Sequence, residues 1–281
     1  GFHHQFTDPG VPDTWKFIHA LLTYSVFFPS MITAFTVIAS LEYAGRKRGG
    51  SGLVGWIRTL PWDDPSVTSQ LLAAILFMFG GIGGLTNASY NLNLVIHNTA
   101  WVPGHFHLTG ATAVTLSFIG ITYWMIPYLT GKALWSRRIA LFQAWTWFVG
   151  MIIFSNAMHM LGLLGAPRRT PLGEALYVPE SWDGHLMRVS VGGAILLVSV
   201  VTYVWIIVKT LMGPKVEAEL VPQVPIAESV RDPQLTPGWL DSFKPWLIAA
   251  GVLLVIAYGP QLFDQIVNMR LNAPGVDFTP W

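Results

Sequence analysis

The sequence predicts an all-α polytopic transmembrane helix bundle of about six spans, and three observations predict it. Only 11% of the 281 residues are charged and 52% are hydrophobic, against about 25% charged in an average soluble domain. The mean hydropathy is +0.49, and the 13 tryptophans suit a chain that crosses bilayer interfaces, where indole collects. The apolar residues also gather into stretches of about the 20 residues that a spanning helix needs.

The first span runs from Thr14 to about Tyr43, is interrupted by Pro29, and ends in Arg46-Lys47-Arg48-Gly49-Gly50. The second, Val67 to Tyr90, contains Gly80-Gly81-Ile82-Gly83-Gly84, small residues that admit a close helix or a flat ligand. The third runs from His105 to about Leu129, the fourth from Ile139 to Leu164, and the fifth from His185 to Met212. The sixth, Trp246 to Ile266, contains Pro260, which is expected to kink or break it. Residues 1–281 thus read as a single membrane domain, with 213–245, rich in Pro and Glu, as an irregular cytoplasmic connection. There is no internal repeat. No secretory signal peptide precedes the first span and the chain opens on Gly1, so a fragment or processed half is expected.

Orientation follows from the lysines and arginines of the connections. Arg46, Lys47, Arg48, Arg58, Lys132, Arg137, Arg138, Lys215, Arg231 and Lys244 fall in the loops after spans one, three and five, which are therefore assigned to the cytoplasm. Both chain ends and the stretch His97 to His107 are then outside. A net charge of +1 gives no argument for a nucleic-acid partner, and none is expected; the partner is the lipid bilayer. With no cysteine, there is no disulfide framework, iron–sulfur site or thiolate ligand, and a metal must be held by His, carboxylates or carbonyls.

The segment His97-Asn98-Thr99-Ala100-Trp101-Val102-Pro103-Gly104-His105-Phe106-His107 carries three histidines at the mouth of an apolar run. Pro103 and Gly104 suit a helix start, which puts His105 and His107 in the first turns. Two positions on a helix are roughly 200° apart, so the imidazoles point to nearly opposite sides and suit two separate ligand groups better than one metal. The competing reading of any one histidine is an interfacial hydrogen-bonder. His3 and His4 form a further adjacent pair.

Other polar residues have weaker patterns. Arg168 and Arg169 are adjacent at the outer end of span four, where they either snorkel or meet anions such as cofactor carboxylates. Ser30, Thr33 and Thr36 recur every three residues on one helix face. Their spacing alone favours back-bonding to the preceding turn over a proton relay. His19, His159 and Asn156 read as satisfied interior groups, His185 and Asp183 as interfacial ones, and Asp264 could meet Arg270.

Taken in this order with these spans between, His3-His4-Gln5, Val102-Pro103-Gly104-His105-Phe106-His107 and Pro167-Arg168-Arg169 resemble subunit I of the haem–copper terminal oxidases. The nearest likeness is to the B family, the ba-type oxidases of thermophilic bacteria and archaea, and to the C-terminal half of such a subunit. The resemblance implies that His105 is the proximal ligand of a high-spin haem and His107 an axial ligand of a low-spin haem. It implies that His3 and His4 are two of three copper ligands, with His97, Asn93, Arg168 and Arg169 on the haem propionates. Asn93 stands where relatives often carry a carboxylate. The Ser30, Thr33 and Thr36 face then belongs to a proton-input route.

The cofactors implied are two haems, a low-spin b-type and a high-spin a-type or variant, and copper. The partners implied are the N-terminal half of subunit I, a subunit II with a dinuclear copper centre, and cytochrome c. The activity implied is proton-coupled reduction of dioxygen to water in the inner membrane of a bacterium or archaeon. Alternatives are a nitric oxide reductase of the same superfamily, although Asp8 is the one acidic residue near His3 and His4, a non-catalytic b-type cytochrome, and a transporter without cofactor.

Overall fold

The computed structural model describes residues 6–7, 10–169, 178–217, 220, 222 and 237–267. They fall into two compact units, Gly1–Gln223 and Val224–Trp281, divided inside the 213–245 connection. In the first unit the helices are α1 (Asp13–Lys47), α2 (Gly55–Arg58), α3 (Pro65–Ala88), α4 (Tyr90–Ile96), α5 (Trp101–Leu108), α6 (Thr115–Thr130), α7 (Arg137–Leu163) and α8 (Asp183–Met212), with a π-helical segment, Thr109–Val114, between α5 and α6. The second unit has α9 (Gly238–Asp241) and α10 (Phe243–Val267). Among the described residues there are two isolated β-bridges and no strand.

Five segments are long and apolar enough to cross a membrane: Asp13–Lys47, Pro65–Ala88, Trp101–Thr130, Arg137–Leu163 and Glu180–Met212. They coincide with the first five expected spans. The sixth is helical, and its apolar part, Lys244–Pro260, is shorter. The prolines do not break these helices: Pro29 lies inside α1, Pro127 inside α6 and Pro260 inside α10. In lipid the helix is the one conformation that keeps the remaining backbone groups paired, and this outweighs the loss of a single N–H.

Local chemistry sets the helix ends. Asp64 accepts from the N–H of Val67 at 3.0 Å with Pro65 in the first helical position, so α3 starts there. Ser136 caps α7 through the N–H of Ile139. Gly131, at φ 65, ends α6 in the left-handed conformation. The core joins Leu72 and Leu76 of α3, Leu116 of α6, Met151 of α7 and Ile206 of α8. Helices α7 and α8 approach through glycines: a Cβ at Gly150 would sit 2.9 Å from Ile195, and one at Gly192 2.7 Å from the backbone of Phe154. No residue in the most apolar window of α1 is fully buried against this chain.

The basic loops converge on one end. Arg137 pairs with Asp64 at 3.1 Å, Lys132 Nζ donates to the carbonyl of Leu211, and the N–H of Val216 donates to Gly131 O at 2.9 Å. At the opposite end Thr99 bridges Pro167, joining the loop before α5 to the loop after α7.

Candidate functional site

The site is built around α5. It starts at Trp101, so Pro103 is its third residue, still among the positions whose N–H has no partner within the helix. His105 is buried, with 6% exposure. Its Nδ1 and Cε1 edge lies on α3, where a Cβ at Gly83 would come 2.6 Å from Nδ1 and one at Gly84 3.7 Å from Cε1. The glycine run of span two thus makes room for this ring. Trp101 stacks on the other part of His105, with centroids 6.1 Å apart and planes at 20°.

His107 faces a different neighbour, Phe154 of α7, at 4.8 Å between centroids. Its Nδ1 is 2.6 Å from the carbonyl oxygen of Pro103. A carbonyl only accepts, so Nδ1 carries the proton and Nε2 keeps its lone pair. This is the tautomer a metal ligand needs, fixed by the hydrogen bond of the other ring nitrogen. The two imidazoles therefore lie against different helices, as the opposed-face argument expects.

The π-helical segment that follows α5 lay outside the sequence expectation of one regular span. Gly80 permits it: a Cβ there would sit 2.5 Å from Thr109 Cγ2, so α3 and the widened turn are in close contact. Threonine hydroxyls serve the displaced carbonyls, Thr112 donating to His107 O at 2.9 Å and Thr115 to Gly110 O at 3.5 Å, each five residues back.

At the outer rim the chain joins residues far apart in sequence. The N–H of Ala100 donates to Ala166 O at 2.8 Å and that of Arg168 to Asn98 O at 2.9 Å, which brings the His97 loop beside Arg168 and Arg169. His97 caps α4 and its N–H donates to Asn93 O at 2.7 Å. Asn93 turns its side chain toward α3. It is fully buried and its amide nitrogen donates to Asn87 O at 3.0 Å, so it acts on the rim through the backbone of His97 and does not present its amide there.

The other expected residues divide. Ser30, Thr33 and Thr36 each donate to a carbonyl four residues back, Val26, Pro29 and Ile32, at 2.9 to 3.0 Å. This is the back-bonding to the preceding turn that their spacing alone favours. His3 and His4 lie outside the described residues, as do Arg270 and the side chain of Asp264. His159 is engaged through Nδ1 with Ser155. Its place beside Trp101, 4.7 Å away, was not legible in the sequence, because nothing in the spacing of residues 101 and 159 announces a contact.

Among the described residues no three His, Cys, Asp or Glu gather as a closed metal site. Each imidazole on α5 offers one nitrogen from its own side. That donor set would fit a metal whose remaining ligands come with a flat macrocycle, one on each side of α5; glycines lie under His105 and the ring of Phe154 lies against His107.

Fold and site together define a class: a polytopic all-α bundle in which one helix sets two imidazoles, His105 and His107, against different neighbouring helices. Residues 1–195 match the family described as Cytochrome C and Quinol oxidase polypeptide I. The chain is 44% identical over 277 residues to cytochrome c oxidase subunit 1 of Thermus thermophilus, covering 95% of this chain and 49% of that protein. It is 27% identical over 208 residues to cytochrome c oxidase polypeptide 1 of Halobacterium salinarum, covering 73% of this chain and 30% of that one. A cryo-EM structure of a heme-copper terminal oxidase dimer aligns with a TM-score of 0.73 and 39% identity, over 93% of this chain and 47% of that chain. This chain belongs to the haem–copper oxidase subunit I family. It spans about half the length of the Thermus relative and of the solved structure it matches.

Proposed function

We propose that this chain is the ligand-bearing C-terminal half of subunit I of a B-family respiratory terminal oxidase that reduces dioxygen to water. The observation that carries the reading is the pair on α5: His107, its Nδ1–H held by Pro103 O, and His105, pressed on Gly83 from the other side. In this reading His107 is an axial ligand of a low-spin b-type haem and His105 the proximal ligand of a high-spin a-type or variant haem. His3 and His4 would supply two copper ligands, by the resemblance alone. The haems and copper, when bound, supply the electron transfer and oxygen chemistry.

What the chain's own residues contribute is ligation, orientation and charge. The Pro103 carbonyl holds the ring of His107 and its tautomer. Arg168 and Arg169, drawn to the His97 loop by the Thr99–Pro167 bridge, supply cations for propionates with His97. Asn93 supports His97 through its carbonyl. One helix carries both imidazoles, which gives electrons arriving on the His107 side a short path to the His105 side. The electrons would come from cytochrome c through a subunit II with a dinuclear copper centre. The remaining ligands would come from the N-terminal half of subunit I, in the inner membrane of a bacterium or archaeon, with proton uptake from the cytoplasm.

Optical spectra and metal analysis of the isolated complex test this. His105→Ala should remove the carbon-monoxide-binding haem and leave the low-spin spectrum, and His107→Ala should do the reverse. A carbon monoxide signal that survives His105→Ala unchanged would overturn the ligand assignment. Three irons without copper, the third in the copper's place, would replace the oxidase by a nitric oxide reductase.

A further inference from the structure

Over about a turn and a half, α7 touches the ligand helix at three heights. Phe154 lies against the ring of His107, Ser155 donates to the carbonyl of Gly104 at 2.7 Å, and His159 sets its ring edge-on to Trp101 at 87°, while Trp101 in turn stacks on His105. Gly104 is the residue before His105. We infer that Ser155 is a positioning residue for both haem ligands: its hydroxyl fixes the height and rotation of α5 against α7, and so the aim of His105 and His107. This rests on the proposal that those two histidines are haem ligands.

The bond is built to be unambiguous. Ser155 is 1% exposed, so no water competes for the Gly104 carbonyl. His159 Nδ1 lies 2.7 Å from Ser155 O and 3.3 Å from Ser155 Oγ. The carbonyl can only accept, so Nδ1 carries the proton, and Oγ receives a share of it. Donation into Oγ directs the Ser155 proton to Gly104 and strengthens that bond, because hydrogen bonds in series polarise one another. The two backbones are also in contact. A Cβ at Gly104 would lie 3.2 Å from the backbone nitrogen of His159, and one at Gly162 would collide with the backbone of Trp101. With the helices this close, packing alone resists separation. The hydroxyl adds to it a directional tie at the residue before His105.

The test uses the membrane-bound oxidase as isolated, with resonance Raman spectra of the reduced high-spin haem. The iron–histidine stretching band reports how the proximal imidazole is held. Ser155→Ala should keep both haems yet shift and broaden that band. Ser155→Thr, which restores a hydroxyl, should return it to the wild-type position, and Ser155→Cys, with its weaker donor, should fall between. An unshifted band in Ser155→Ala would overturn the inference. If that variant does not assemble, Ser155→Cys decides alone, since a shift supports the role and an unshifted band overturns it. A wild-type complex with no such band would instead defeat the ligand assignment itself, which separates the two failures.

Discussion

The backbone N–H of Arg168 donates to the carbonyl of Asn98 at 2.9 Å, and both loops turn through left-handed backbone beside it, at Asn98 (φ 56) and Arg169 (φ 61). Asparagine tolerates this conformation, whereas a β-branched residue meets its own carbonyl. Asn98→Gly should leave thermal stability within a few tenths of a kcal/mol, while Asn98→Val should cost about 1–2 kcal/mol. The measurement is thermal unfolding of the detergent-solubilised complex, and equal stability of the two variants would show that the left-handed turn is not what joins these loops.

Gly83 and Gly81 form a matched pair of controls on α3. A Cβ at Gly83 would press on His105 Nδ1 at 2.6 Å, while one at Gly81 would meet nothing within 4 Å. Gly83→Ala should therefore reduce or abolish the carbon-monoxide-binding haem signal. Gly81→Ala should retain it, with unchanged or slightly raised stability from the better helix propensity. Equal spectra in both variants would mean that the His105 ring does not rest on Gly83.

How much of this was readable in advance follows from the kind of signal each feature carries. The five spans were legible because lipid demands long apolar runs, and the glycine run announced a close approach. The opposed imidazoles followed from helix geometry at residues 105 and 107. The π-helical segment was not legible, since TGATAV fits a regular helix as well; it depends on Gly80, some thirty residues earlier. Nor was the grip of Ser155 on Gly104 legible, because a long-range side-chain bond leaves no period in the sequence. The contact of Asn93 was not legible for a related reason: its neighbourhood in sequence is the rim, but its side chain donates to Asn87 O.

A second buried polar cluster ties α6, α7 and α8 away from the ligand helix. Tyr123 donates to Gln143 Oε1 at 2.7 Å, Gln143 Nε2 donates to Ser199 Oγ at 3.0 Å, and Ser199 returns its proton to Gln143 O at 2.8 Å. Each donor ends on an acceptor inside the cluster, so it works as a lock between helices. Gln143→Leu should cost about 1–3 kcal/mol, because it strands the Tyr123 hydroxyl in the core. Adding Tyr123→Phe should recover part of that loss, since removing both partners leaves nothing unpaired. Thermal unfolding in detergent measures the cycle, and strictly additive losses would refute the lock.

Asn87 and Asn93 carry the sharpest polar imbalance among the described residues. Both are fully buried. Their amide nitrogens are committed, Asn87 to Gly83 O at 3.1 Å and Asn93 to Asn87 O at 3.0 Å, yet both Oδ1 atoms lack a partner. The orientation of Asn93 is fixed by chemistry, because turning its amide over would set two carbonyl oxygens face to face. A carboxyl introduced by Asn93→Asp would meet the same Asn87 carbonyl, and only its protonated form can donate to it; burial disfavours the ionised form as well. Asn93→Asp should therefore show the infrared C=O band of a protonated carboxylic acid at neutral pH, absent from the wild type. An ionised carboxylate in that variant would overturn the inward placement of this side chain, because the Asn87 carbonyl can only accept and gives an anion no donor.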